Sequence, residues 1–231
     1  MIKVLNSARI KSKNSILLMG GDSGVTEIGC FSFLIKSGGE YILIDTGIED
    51  IDVVNKTKSS KDDWKRSGDD AGVSESLERL GISCKDISRV LLTHSHYDHI
   101  SGITHFPQAK IYMSAKEYEF LKTDNPHKPF LGEQIAFLEK NKPVLLNGDT
   151  DISEDIKAVC VGAHTPGSVM YIIKDSIFTG DNVYLLEAVE KNIPIGFGYD
   201  LEEAKRAVGI AKDFKGKVYT SHDLKCPDIR R

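Results

Sequence analysis

Thr93-His94-Ser95-His96-Tyr97-Asp98-His99 packs three of the chain's seven histidines and a carboxylate directly behind the apolar run Val90-Leu91-Leu92. A short apolar run that delivers a polar cluster reads as a strand end, where a rigid element presents side chains to a site. Neutral imidazole and carboxylate are the ligands that suit zinc and other borderline divalent ions. Residues two apart on an extended segment point the same way, so His94 and His96 can grip one ion together. Asp98 and His99 fall where the chain turns into a helix. They are thereby re-aimed, and can start a second ion site beside the first.

The frame around this motif is ordinary. A chain of 231 residues is long enough to bury a substantial core, and residues 1–231 are expected to form one domain. A formal net charge of -4 and a pI near 6.0, with dispersed lysines, give no electrostatic reason to expect nucleic acid. A small, non-polyanionic substrate is expected instead. Met1 to Ser7 lacks the apolar core of a signal peptide, and no apolar run reaches membrane-spanning length, so a cytoplasmic location away from the membrane is expected. Cys30, Cys84, Cys160 and Cys226 lack the paired spacing of a zinc knuckle and are expected as small, reduced, buried residues. Cys226 draws interest because it lies close after His222.

Working outward, the first quarter predicts strands at 4–10, 16–19, 31–36 and 41–44, the last two joined by Gly38-Gly39. From Glu49 to Gly72 the chain is polar, contains the only tryptophan, Trp64, and reads as a long surface connection with about one helical turn. A helix over 74–80 closed by Gly81, a strand over 87–92 and a helix over 99–106 before Pro107 follow. After a strand over 109–113, Ser114-Ala115-Lys116-Glu117 has the pattern of a capping box, in which the glutamate reaches back to the cap amide. A helix over 131–139 precedes strands at 157–161, 169–174 and 177–179. Asp200 caps a helix whose apolar positions Leu201, Ala204, Ala207, Val208, Ala211 and Phe214 keep the helical period, and 217–220 makes the final strand.

Histidine and aspartate recur just beyond these later strands, as His164, Asp181 and His222. Each alone is unremarkable, but with the first motif they place four strand ends on one chemistry. His105 and His127 have no such placement and read as helix-end and loop histidines. Asp45, at the end of an earlier strand, reads either as a carboxylate that fixes the tautomer of a ligand histidine or as a turn residue. Substrate selection falls to the loops 20–29, 49–72 and 120–131, where Trp64, Phe120, Phe130 and Leu131 permit an acyl-chain pocket or belong to the core.

The set Asp45-Thr46-Gly47, His94 to His99, His164-Thr165-Pro166-Gly167, Gly180-Asp181 and His222-Asp223, in this order, resembles the metallo-β-lactamase superfamily over most of the chain. The resemblance implies an α+β fold of the αββα sandwich type, two sheets face to face with helices outside and a dinuclear metal site at one edge. It also implies that His94, His96 and His164 hold one ion, that Asp98, His99 and His222 hold the other, and that Asp181 bridges them. Two divalent ions, Zn2+ before Fe or Mn, are the implied cofactors.

Departures narrow the resemblance. True β-lactamases of this fold lack the bridging aspartate; diiron flavoproteins carry Glu where His96 stands; glyoxalase II-type thioesterases continue into a helical extension, and only nine residues follow His222. What remains resembles the N-acyl homoserine lactonase branch, through Leu80-Gly81-Ile82, Tyr184 and His222-Asp223, although Ser168-Val169 departs from its usual turn. That branch implies quorum-quenching hydrolysis of a lactone or related ester by a metal-bridging hydroxide. Tyr184 would hydrogen-bond at the substrate carbonyl, and Asp98 would pass a proton to the leaving alkoxide. It also suggests a homodimer. Other hydrolases of the fold acting on thioesters or phosphodiesters, and an iron-dependent sulfur dioxygenase, use similar ligands, and a metal-stabilised binding protein is the non-catalytic alternative.

Overall fold

The computed structural model describes residues 1–57, 63–125 and 128–226, so His127 lies outside the described residues. Two long strands, β1 (Ile2–Lys13) and β2 (Val25–Ser37), pair antiparallel around the short helix α1 (Asn14–Leu17). Gly38 and Gly39, both at positive φ, turn the chain into β3 (Glu40–Ile44). The next strands must run parallel, which needs crossovers on a face of the sheet. Helices α2 (Ile51–Thr57) and α3 (Val73–Arg79) lead to β4 (Ile87–Leu91). Helix α4 (Tyr97–Ile100) leads to β5 (Lys110–Ser114), and α5 (Ala115–Lys122) with α6 (Gly132–Asn141) leads to β6 (Val144–Leu146). The result is a six-stranded sheet in chain order, β1 to β6.

The second sheet begins as an antiparallel meander of β7 (Thr150–Ser153), β8 (Ile156–Cys160), β9 (Val169–Ile173) and β10 (Ser176–Phe178). Helices α7 (Leu186–Lys191) and α8 (Leu201–Asp213) then cross over to β11 (Lys217–Tyr219), which lies parallel to β10.

Strand alternation explains why the sheets stack and why helices cover them. On β2, Phe31, Phe33 and Ile35 face one way, and they pack with Ile42, Ile44 and Leu91 against Val169, Tyr171, Ile173, Phe178 and Tyr219 of the second sheet. Their neighbours Cys30, Leu34, Leu43 and Val90 face the other way, into the core shared with Leu77, Leu121 and Leu138. Met170 and Ile177 do the same beneath Ala204, Ala207, Val208 and Ala211 of α8. Strands buried on both faces read as continuous apolar runs, as 41–44 does. Layers of helix, sheet, sheet and helix follow, and the αββα expectation holds.

Three local readings are corrected. Residues 16–19 are not a strand: α1 occupies 14–17 and buries Leu17, while Ile16 and Met19 stay exposed, an arrangement with no alternating face. The stretch 49–72 is more than a surface connection, since α2 is seven residues long and Trp64 and Ala71 are buried. Lys65 bridges to Arg9 of β1, and Arg9 pairs with Asp70 at 2.9 Å. The helix expected over 99–106 starts earlier, at Tyr97, and tightens into a 3-10 turn at Ser101–His105. Among the described residues no helix is long and apolar enough to cross a membrane.

Candidate metal centre

Every candidate side chain comes from a segment leaving the same edge of one of the two sheets. His94 and His96 follow β4, Asp98 and His99 sit in the first turn of α4, His164 follows β8, Asp181 follows β10 and His222 follows β11. The sheets are stitched together at this edge. Val169 donates its amide to the Thr93 carbonyl at 2.8 Å, Tyr171 its hydroxyl to the Leu92 carbonyl at 2.9 Å, and Gly29 its amide to the His222 carbonyl at 3.0 Å. Gly180 is at φ +52, and a side chain there would run into Thr93, so glycine lets Asp181 lean over the His94 loop.

Three sets of side chains bring their donor atoms within 4.8 Å of one another: His94, His96 and His164; His94, His99 and Asp181; Asp98, His99 and His222. Asp181 divides its two oxygens between the outer sets. Its Oδ2 lies 3.7 Å from His94 Nε2 and 3.5 Å from His164 Nε2, and its Oδ1 lies 3.2 Å from His99 Nε2 and 3.0 Å from His222 Nε2. Asp98 Oδ2 approaches the same His99 and His222 nitrogens at 3.6 and 4.0 Å. His94 Nε2, His99 Nε2 and Asp181 Oδ1 are buried without a hydrogen-bond partner. Buried lone pairs aimed at one point are costly unless a cation sits there, so the donor set fits a divalent metal pair.

The ring nitrogens that face away from the centre are held. Asp45 is fully buried at φ +55, a conformation an aspartate tolerates in a tight turn. Its Oδ2 accepts from His99 Nδ1 at 2.8 Å and from the Thr93 hydroxyl at 2.6 Å, and its Oδ1 accepts from the Thr93 amide. Thr93 Oγ1 in turn lies 3.1 Å from His94 Nδ1, and His222 Nδ1 donates to the Gly29 carbonyl at 2.6 Å. Tyr184 places its hydroxyl 3.0 Å from His164 Nδ1. With His164 Nε2 facing the centre, Nδ1 carries the proton and donates, which leaves the phenolic hydrogen free. Burial, aided by Asp181 and Asp98, pushes the Tyr184 phenol well above its ordinary range and keeps it a donor. Burial would also raise Asp181, but His222, His99 and His94 outweigh it and hold the carboxyl well below the usual range.

Other residues fall outside the cluster or enter it unannounced. His105 pairs with Glu49 at 3.2 Å, away from the centre. Cys226 is buried in the core between the sheets; the thiol beside the site is that of Cys30, which donates to the Asp98 carbonyl at 2.9 Å. Cys84 and Cys160 are only half-buried. Trp64 and Leu131 belong to the core, and Phe120 and Phe130 are half-buried. The exposed aromatics near the centre are Phe197 and Tyr199, which no pattern in the chain singled out. Phe197 is 62% exposed with its ring 6.5 Å from that of His164, and the Tyr199 amide donates to the Ala163 carbonyl. Glu117 was read only as half of a capping box. Ser114 does accept from the Glu117 amide, but the carboxylate turns inward to Ser95 and Thr165.

Known proteins are similar to this chain in sequence and in fold. The N-acyl homoserine lactonase AttM of Rhizobium radiobacter is 26% identical over 245 residues, covering 95% of this chain and 92% of that protein. A probable metallo-hydrolase of Methanocaldococcus jannaschii is 28% identical over 151 residues, 65% of this chain, and the match spans 64% of that protein's length. A solved N-acyl homoserine lactone hydrolase, with N-hexanoyl-L-homoserine bound at its metal center, superposes with a TM-score of 0.81 at 19% identity, covering 96% and 93% of the two chains. The family described as the metallo-beta-lactamase superfamily matches residues 25–221, from the first residue of β2 to the residue before His222. Because that stretch takes in every strand of the two sheets except β1, and every candidate donor except His222, the chain belongs to the metallo-β-lactamase superfamily.

Proposed function

We propose that this protein is a two-metal hydrolase that opens a lactone or related carboxylic ester of the N-acyl homoserine lactone kind. The observation that carries the reading is the division of Asp181, one oxygen toward His94 and His164 and the other toward His99 and His222. His94, His96 and His164 would hold one ion, Asp98, His99 and His222 the other, and Asp181 both. Imidazole with carboxylate suits zinc, with Fe or Mn as the alternatives. When bound, such a pair polarises a carbonyl and lowers the pKa of water from 15.7 to about 7, which supplies a nucleophile at neutral pH.

The chain's own groups do the rest. Tyr184 offers its free phenolic hydrogen where negative charge develops on the carbonyl oxygen. Asp98 and His96 are the two candidate side chains that are not fully buried, and Asp98, 19% exposed, would carry a proton to the departing alkoxide. Phe197, beside His164, offers an apolar wall to an acyl chain. The near full-length likeness to AttM supports the choice of substrate class. The reading includes action in the cytoplasm on small-molecule lactone signals, and a homodimer that light scattering would detect.

The test is a side-by-side turnover assay of purified, metal-quantified protein on a homoserine lactone, a glutathione thioester and an aryl phosphodiester. Lactone turnover that rises with metal content toward two ions per chain is expected. Hydrolysis of the phosphodiester or thioester alone would overturn the substrate class, and a folded protein that takes up no metal would overturn the whole reading.

A further inference from the structure

Glu117 occupies the third position of α5, where a glutamate beside an N-cap serine ordinarily reaches back to the cap amide in contact with water. Here its side chain is buried, with no cationic partner among the described residues. The carboxylate is instead ringed by donors. Oε1 accepts from the Ser95 amide at 2.8 Å and the Ser95 hydroxyl at 2.6 Å; Oε2 accepts from the Thr165 hydroxyl at 2.6 Å and the Gly167 amide at 3.2 Å. Four hydrogen bonds fill the acceptor capacity of one carboxylate, which is how a buried charge is tolerated without an ion pair.

The position of these donors in the chain matters more than their number. Ser95 stands between His94 and His96, and Thr165 directly follows His164. The two segments leave different sheets, and Glu117 belongs to neither. Gly167 closes the contact: a side chain there would collide with the Glu117 backbone, so the His164 loop rests directly on the first turn of α5. The other half rests on Asp45, directly behind His99, and on the Gly29 carbonyl behind His222; Asp45 reaches the first half only through Thr93, behind His94.

We infer that Glu117 is a positioning residue for the three-histidine half of the metal centre, tying the Ser95 segment to the Thr165–Gly167 loop so that His94, His96 and His164 converge before an ion arrives. This rests on the two-metal reading above. Groups that orient metal ligands typically contribute about 10–100-fold in metal affinity. Glutamine at 117 would keep the shape but turn an amide N–H toward a donor, so some of the four bonds must fail.

The experiment strips metal from wild-type protein, Glu117→Gln, Thr165→Val and Thr165→Ser, then titrates Zn2+ against a competing chelator and records the visible spectrum of the Co2+-loaded forms. Thermal unfolding of the metal-free proteins runs in parallel. Glu117→Gln is expected to weaken one of two binding steps by about 10–100-fold, to leave the other within about 3-fold, and to alter one set of Co2+ bands. Thr165→Val should weaken the same step less, and Thr165→Ser should restore it. Two steps equal to wild type in folded Glu117→Gln, or two steps weakened alike, would overturn the inference. If Glu117→Gln does not fold, equal affinities for Thr165→Val and Thr165→Ser would overturn it, and loss in one step with rescue by serine would sustain it. Wild-type protein that binds no zinc defeats the two-metal reading and this inference together, whereas two zinc ions in every variant at unchanged affinity defeats this inference alone.

Discussion

The two halves of the centre are built from the same materials but supported in opposite ways. His94, His96 and His164 belong to loops of different sheets and depend on side chains reaching in from elsewhere: Thr93 behind His94, Tyr184 behind His164, and Glu117 beneath both loops. His99 and His222 lean on Asp45 and on a backbone carbonyl, that of Gly29, which no substitution can remove without moving β2. The outward nitrogens of His99 and His164 also meet different groups, an anionic carboxylate in one case and a neutral phenol in the other. The comparison teaches that adjacent sites can be tuned in part separately, because Glu117 serves one half and the Gly29 carbonyl the other, while Asp45 touches His99 directly and reaches His94 only through Thr93. Asp181 faces both sets directly, and so it is where the two should fail together.

Asp181→Ala should have the largest effect. Removing the one side chain that faces both sets is expected to lower turnover by at least ~10³-fold and to cut metal below two ions per chain by elemental analysis. Retention of two ions with near-normal turnover would break the picture of a shared carboxylate. Asp45→Asn should act most on the His99 half, which Asp45 touches directly, and less on the other, which it reaches only through Thr93 behind His94. Asparagine tolerates the same positive φ, so the change probes the charge and the lost acceptor; one zinc-binding step should weaken about 10–100-fold, and it should be the step that Glu117→Gln spares. If both substitutions weaken the same step most, the supports are not separate.

Acid should also divide the halves. Burial disfavours the charged form of His99 and His222, but Asp181 and Asp98 together, joined at His99 by Asp45, outweigh it and raise both rings above the ordinary imidazole range. Burial lowers His94 and His164. A raised ring carries its proton to higher pH and must shed it to bind metal, whereas a lowered ring is already neutral. Dialysis at successively lower pH is therefore expected to empty the Asp98, His99 and His222 half first, and simultaneous loss from both would contradict that sign.

Tyr184→Phe should lower turnover about 10–100-fold through the lost donor, with two ions retained at saturating zinc. Unchanged turnover would remove Tyr184 from the chemistry. The smallest effect is expected at Phe197→Ala, where loss of partly exposed apolar contact should raise KM for a long-chain lactone by about 3–10-fold and leave kcat alone. Equal effects on short and long acyl chains would argue against an acyl wall.

What could be read in advance divides along the same lines. His94, His96, Asp98 and His99 announce themselves because one strand end and one helix turn place them within six positions of each other. His164, Asp181 and His222 were legible because apolar runs mark the strands before them, and all seven do converge. Asp45 looked equally like a turn residue, and only the approach of His99 from 54 positions away separates the two roles. Glu117 was hidden by a local pattern that explains it adequately, the capping box. The role of the substrate loops stayed open for a related reason: Trp64 and Leu131 are apolar wherever they lie, and whether they line a pocket or fill the core depends on what packs over them.

By itself, the amino-acid order determined the strand-end donors, the alternating faces of the sheets and the helix periods, since these follow from side-chain chemistry and the geometry of neighbouring residues. Only the tertiary structure decided which oxygen of Asp181 serves which half, that Glu117 binds two loops rather than its own helix cap, and that Phe197 rather than Trp64 stands exposed beside His164. Those outcomes depend on two stacked sheets presenting their strand ends along one edge, and contacts between residues tens of positions apart leave no periodic trace in the chain that makes them.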